Sequence, residues 1–475
     1  PVLTGSDASV ILAAPVIGTA GNDTLVGDSS AASATVGLDI LAQLADTDGS
    51  EQLSVTIAGL AADALLSAGT RNADGTWTLG GGDLAGLTLT ASTASNLSLS
   101  VTATATENTG ASATSTATLN VTFDRAGHAD VIDGGAGNDM ISGGLGGDTL
   151  TGGAGNDTVN GGEGDDLIMA GAGNDTYDGG AGSDTIDFSG VGNSVSVDLS
   201  RSTASGVRTD IVRNVENVTG TNSSDKITGN SGANVIAGGL GNDDILGGAG
   251  NATLIGGEGN DKLDGGTGND VISDGNGNDT VNGGSGDDLI IAGDGDDKYT
   301  GGSGFDTLDY SAATRAINVD ASKKQILGYN DDTIDGIEKI IGTMFNDTFK
   351  GGKDGNTFDG GAGNDTFRGM GGADVFTGGE GSDTFQWLAK DLVSGNNLLG
   401  ADVITDFSTE DILDLRELTK AFKGADVDSI VRFTDVAQGA MMSVKIGTAF
   451  VDVALLEGLH GVTASGLLAD GMILA

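Results

Sequence analysis

From residue 125 to residue 386 most apolar side chains follow neither a helical period nor a simple alternation. They return once every nine positions. Ile141, Leu150, Val159 and Ile168 each stand eighth in a unit Gly-Gly-x-Gly-x-Asp-x-apolar-x. The unit first reads clearly as Gly134-Gly135-Ala136-Gly137-Asn138-Asp139-Met140-Ile141-Ser142 and continues at Gly143, Gly152, Gly161, Ala170 and Gly179. Each nonamer divides into a six-residue turn and a three-residue strand. Two nonamers close one coil, so residues two nonamers apart stack at about 4.8 Å, the spacing of neighbouring strands. The eighth-position residues then form two inward ladders, and the glycines supply the positive φ angles of the turns. This predicts an all-β chain built on a parallel β-roll, a β-solenoid.

Three blocks carry the repeat. Residues 125–187 hold seven units, 220–309 hold ten and 342–386 hold five, and one isolated copy stands at Gly18-Thr19-Ala20-Gly21-Asn22-Asp23-Thr24-Leu25-Val26 in the linker 1–27. Two inserts, 188–219 and 310–341, align without a gap, Val195-Ser196-Val197-Asp198 on Ile317-Asn318-Val319-Asp320. Their period-two alternation predicts strands, read as longer coils of the same solenoid without the turn.

The flanks differ. Over residues 28–124 Thr, Ser and Ala replace Gly, and Leu53-Ser54-Val55-Thr56-Ile57 and Leu97-Ser98-Leu99-Ser100-Val101-Thr102 alternate. Short strands at this spacing predict a β-sandwich. Residues 387–475 lose the nonamer, and Met442-Ser443-Val444-Lys445-Ile446 and Phe450-Val451-Asp452-Val453 predict a hairpin in a β-rich cap. A solenoid needs such a cap because its last coil exposes core and strand edge.

Composition changes the picture. The 475 residues include 85 Gly, no Cys and a formal net charge of −47. Such a chain would ordinarily be disordered. One apolar side chain per nine residues cannot offset the backbone entropy of glycine-rich turns, and stacked aspartates repel. A bound divalent cation removes both objections, because binding and folding become one event. Turn carboxylates and carbonyls are hard oxygen ligands in an adaptable loop, which favours calcium over magnesium. Zinc is excluded by the lack of Cys and of paired His. The charge excludes nucleic acid as a partner. No apolar run is long enough to span a membrane. Pro1 and the lack of a leader predict a fragment or processed product whose export signal lies elsewhere.

The repeats resemble the RTX, or repeats-in-toxin, β-roll of proteins exported by Gram-negative type I secretion. That resemblance implies calcium bound by sixth-position carboxylates with carbonyls of the second and fourth residues. The implied carboxylates are Asp130, Asp139, Asp148, Asp157, Asp166, Asp175 and Asp184 in the first block. In the second they are Asp225, Asp243, Asp261, Asp270, Asp279, Asp288, Asp297 and Asp306, and in the third Asp347, Asp365, Asp374 and Asp383. The implied carbonyls include Gly135 and Gly137, Gly144 and Gly146, and Gly153 and Gly155. Asn234, Ala252 and Asn356 depart from the pattern. The row Asp225, Asp243, Asp261, Asp279, Asp297 is therefore expected to fill, and the opposite row only from Asp270 through Asp288 to Asp306.

Leu44-Ala45-Asp46-Thr47-Asp48-Gly49-Ser50-Glu51 resembles the cadherin-like or immunoglobulin-like repeats of giant RTX adhesins, with Asp46, Asp48 and Glu51 as a further calcium candidate or a polar turn. Asp402-Val403-Ile404-Thr405-Asp406-Phe407 and the aliphatic end resemble type I secretion target regions, which implies an uncleaved C-terminal signal. No His-Glu-x-x-His or Gly-x-Ser-x-Gly is present, which excludes the zinc protease and lipase that often carry such a roll. The expectation is a non-enzymatic, secreted surface protein, an adhesin with a host or biofilm ligand bound through other domains and the type I exporter as its transient partner. The alternatives are an accessory module of a polysaccharide lyase or epimerase, and a surface-layer protein.

Overall fold

A computed structural model describes residues 2–5, 16–17, 24–26, 34–37, 40–43, 51–60, 64–84, 87–91, 97–107, 112–121, 129–206, 208–388, 393–394, 397–398, 400–420, 426–446 and 449–474. The chain divides into two compact units, Pro1–Thr185 with Arg213–Val215, and Ile186–Val212 with Glu216–Ala475.

The first unit contains a β-sandwich. One antiparallel sheet has the order Ser112–Val121, Leu97–Glu107, Glu51–Ala58, Trp77–Gly80, Thr70–Arg71, and the other the order Ala34–Gly37, Thr88–Ala91, Leu65–Leu66. The alternation seen in the sequence explains the packing. Val55 and Ile57 of one sheet, with Leu79, Leu99 and Val101, share a buried core with Leu66 and Leu89 of the other.

The same unit contains the first β-roll. Val131–Asp133, Thr149–Thr151 and Leu167–Met169 pair in parallel, and so do Met140–Leu145, Thr158–Glu163 and Thr176–Ala181. The register is 18 residues throughout: Ile132 pairs with Leu150 and Leu150 with Ile168. The isolated copy belongs here too. Thr24–Val26 pairs in parallel with Met140–Leu145, Leu25 opposite Ile141, and Val16 pairs with Ile132. The sandwich is thus an excursion of the chain between one coil of the roll and the next. The turn residues of that copy, Gly18 to Asp23, lie outside the described residues, as do Asp46 and Asp48.

In the second unit one sheet runs in parallel through Asn217–Thr219, Val235–Leu240, Thr253–Glu258, Val271–Asn276, Leu289–Ile291, Thr307–Asp309, Lys339–Ile341, Thr357–Asp359, Val375–Thr377 and Asp402–Ile404. The facing sheet carries the alternate nonamers. The insert after Tyr310 makes an antiparallel meander of Asn318–Asp320, Gln325–Leu327 and Asp332–Asp335. Its last strand pairs in parallel with Lys298–Ser303 and its first with Thr348–Lys350, so the sheet is preserved while the chain doubles back. Ser196–Asp198, Thr203–Ser205 and Thr209–Arg213 repeat the meander. The end is closed by Val431–Asp435, Gly439–Ile446 and Ala449–Glu457, an antiparallel meander whose last strand pairs with Asp402–Ile404, and by Ile473–Leu474 against Ile412–Asp414.

Apart from Tyr299, the inward ladders are aliphatic through the second block, and they are aromatic in the third. Phe349, Phe367 and Phe385 stack with centroids 5.0 and 5.1 Å apart. Offset rings fill more of the narrow interior than an aliphatic side chain and add contact along the stack. Phe367→Ala, which empties the middle of this ladder, is expected to cost about 3–5 kcal/mol of unfolding free energy at fixed saturating calcium, measured by denaturant titration.

Candidate metal centre

The turns explain the repeat residue by residue. Second-position Gly135, Gly144 and Gly153 and fourth-position Gly137, Gly146 and Gly155 all have positive φ, from 88° to 142°. At Gly155 even conformation is secondary to space: a Cβ there would lie 1.5 Å from the Gly137 carbonyl oxygen. The first-position glycine has a different reason. A Cβ on Gly143 would lie 2.1 Å from Oδ2 of Asp148, so this glycine clears room for a carboxylate.

That carboxylate divides its oxygens. Oδ1 accepts the backbone N–H of the sixth-position residue one coil earlier: Asp139 donates to Asp157 at 2.9 Å, Asp148 to Asp166 at 2.8 Å, Asp243 to Asp261 at 2.8 Å and Asp270 to Asp288 at 2.8 Å. Asp130 donates to Asp148, and Asp166 to Asp184, in the same way. Oδ2 points into the turn. For Asp157, Asp166, Asp243, Asp261, Asp270, Asp279, Asp288, Asp306, Asp365 and Asp383 this second oxygen is buried with no hydrogen-bond donor. Apart from half-buried Asp130, all the aspartates expected to bind metal are buried.

A buried carboxylate oxygen without a donor is costly and calls for a cation. The second- and fourth-position glycines bring carbonyls to the same turns, with the Gly135 carbonyl also accepting the N–H of Ala154 at 2.8 Å. Carboxylate and carbonyl oxygens in a flexible loop, with no nitrogen or sulfur, fit calcium. Calcium supplies the compensating charge; the chain's own part is to hold the carboxylates in register and exclude water.

Other sixth-position residues are satisfied by the protein. Oδ2 of Asp225 accepts the Thr221 N–H at 2.6 Å, and that of Asp347 the Thr343 N–H at 2.6 Å. Asn234 and Asn356 accept the N–H groups of Asn230 and Gly352 at 2.7 and 2.9 Å. In these four turns the second-position N–H faces inward, and none of those residues has positive φ. Elsewhere a side chain supplies the donor. The Tyr177 hydroxyl donates to Asp175 at 2.9 Å and Tyr310 to Asp332 at 2.6 Å, the Tyr299 hydroxyl is shared between Asp274 at 2.6 Å and Asp297 at 3.0 Å, and the Trp387 indole N–H donates to Asp402 at 2.6 Å.

The ladder also reaches residues that the nonamer did not reveal. Asp332 and Glu338 of the insert accept the N–H groups of Asp297 and Asp306, and Asp402 and Asp411 of the cap accept those of Asp374 and Asp383. Asp332-Thr333-Ile334, Asp402-Val403-Ile404 and Asp411-Ile412-Leu413 keep the Asp-x-apolar half of the repeat without its glycines. That truncated pattern was the available signal.

A parallel β-roll that stacks buried, inward-facing carboxylates in glycine turns is a calcium-binding repeat protein. The profile described as the RTX calcium-binding nonapeptide repeat (4 copies) matches residues 16–31, 128–150, 151–186, 219–254, 246–280, 255–289, 273–308, 332–366, 341–374 and 350–385. The chain carries RTX calcium-binding nonapeptide repeats. A search of curated proteins finds no match to it.

Burial pushes Asp243 and Asp279 up to about 7 and Asp365 up to about 8, and the aspartates stacked on either side add to the shift. A carboxyl with a raised folded pKa binds more protons in the ion-free fold than in the unfolded chain. The ion-free roll therefore loses stability as pH rises from the ordinary carboxyl range through about 7. In chelator the residual β signal is accordingly expected to be larger at pH 6 than at pH 8, measured by far-ultraviolet circular dichroism.

Proposed function

We propose that this chain is the calcium-dependent folding and export module of a large extracellular bacterial surface protein, an adhesin. The observation that carries this reading is the set of buried, inward carboxylate oxygens without donors. Without calcium these charges oppose closure of the roll, and the chain stays extended enough to thread a type I exporter from a cytosol poor in calcium. With calcium outside a Gram-negative cell the turns close, and folding there opposes return. Proteins with these repeats are generally secreted, and among the described residues no helix is long and apolar enough to cross a membrane. The role is structural and non-catalytic: the repeat carboxylates are occupied in stapling backbone and facing calcium. The sandwich within the first unit favours an adhesin over an enzyme accessory module, because such domains serve as spacers and binding modules at cell surfaces.

Calcium fills the turns whose inward oxygen lacks a donor, and the turns closed by Thr221 and Thr343 do without it. In the row from Asp225 to Asp297 the ions thus sit at the inner positions.

Circular dichroism of the chain in chelator is expected to show coil, converting to β structure on addition of calcium but not of magnesium at equal concentration. A complete β spectrum in chelator would overturn the coupling. Asp261→Asn is expected to lower the calcium stoichiometry by about one ion, whereas Asp225→Asn leaves it unchanged, as counted by calorimetry or native mass spectrometry.

A further inference from the structure

One nonamer places a carboxylate where the repeat calls for its first glycine. Asp274 opens the unit whose sixth residue is Asp279, and its side chain is fully buried. In the other units the inward oxygen of the sixth residue faces the first-position Cα of its own nonamer, as Asp270 faces Gly265 and Asp288 faces Gly283. Asp279 therefore directs its donorless Oδ2 toward Asp274. One coil on, Asp297 joins them, and one carboxylate oxygen from each of Asp274, Asp279 and Asp297 lies within 4.8 Å of the other two. The Tyr299 hydroxyl sits between Asp274 Oδ2 at 2.6 Å and Asp297 Oδ2 at 3.0 Å. Its single proton can serve only one of them at a time.

We propose that Asp274, Asp279 and Asp297 form a distinct cation site within the array, a three-carboxylate site that binds one calcium ion more tightly than the repeat turns do. The proposal rests on the array being a calcium array and adds a ligand that the repeat pattern does not provide. Affinity of oxygen sites for calcium rises with the number of charged ligands and the rigidity of the site. The first block shows the same surroundings without the extra charge. Tyr177 bonds to Asp175 there, and Gly152 holds the place corresponding to Asp274.

The test is a calcium titration of the full chain at neutral pH, followed by native mass spectrometry and chelator competition. One ion is expected to bind at least about tenfold more tightly than the others and to survive chelator that empties them. Asp274→Gly, which restores the repeat residue, and the isosteric Asp274→Asn are both expected to abolish that class, with the remaining ions and the calcium-saturated spectrum retained. Tyr299→Phe is expected to keep it. Persistence of the tight class in both Asp274 variants, or a wild-type isotherm with no ion set apart, overturns the proposal. A wild type that binds no calcium overturns the array reading as well, and so differs from loss of this site alone.

Discussion

The structure depends on a single bifunctional group, the sixth-position carboxylate. One oxygen accepts a backbone N–H from the preceding coil, and the other is held inside the turn. The first bond makes the coils stack in register. The second oxygen makes that stacking unfavourable without a cation, since each staple adds another buried negative charge to the row. Sequence, register and ion requirement are therefore one constraint. The glycines follow from it: Gly143 leaves room for the carboxylate, and Gly155 lets one turn approach the next.

A row of this kind must end, and the chain ends it with neutral donors. Tyr177, Tyr299, Tyr310 and Trp387 each place a hydroxyl or indole N–H on the final inward oxygens of a run. Asp332, Glu338, Asp402 and Asp411 then accept the outstanding backbone N–H groups from outside the glycine turns. Tyr177 and Tyr299 look like core by their eighth-position spacing, and all four aromatic residues are buried. Their polar ends nonetheless do electrostatic work that Leu or Phe at the same place could not.

The nonamer made most of the roll legible. A period that puts one apolar residue and one Asp in every unit fixes strand register, ladder and inward carboxylate together, and Ile132, Leu150 and Ile168 pair as that period requires. What it hid depends on contacts distant in sequence. Leu25 pairs with Ile141 across the whole sandwich, and nothing in a nine-residue window encodes that. The inserts showed their strands but not their direction, because an alternating strand has the same pattern whether its neighbour is parallel or antiparallel. The nonamer does not mark Asp332 and Asp402 as ladder acceptors, because they share the strand half of the repeat and lack its turn.

The irregular units at the start of the second and third blocks are better understood as closed turns than as damaged ones. Thr221, Asn230, Thr343 and Gly352 turn their N–H groups inward onto the sixth residue, the bond that a positive φ removes in the calcium turns. Two closed nonamers make one complete coil, and both blocks begin with such a pair. Asn234 goes further, its amide reaching the Glu216 carbonyl at 2.8 Å and tying that coil to the preceding one without charge. Ala252 then offers its N–H to Asp270 while presenting no carboxylate of its own. On the reading proposed above such a coil needs no ion, and it gives the next coil a formed strand edge and a row of acceptors. Nucleating a first coil costs more conformational entropy than extending one, so placing the ion-independent coil at the head of a block lets calcium act on extension.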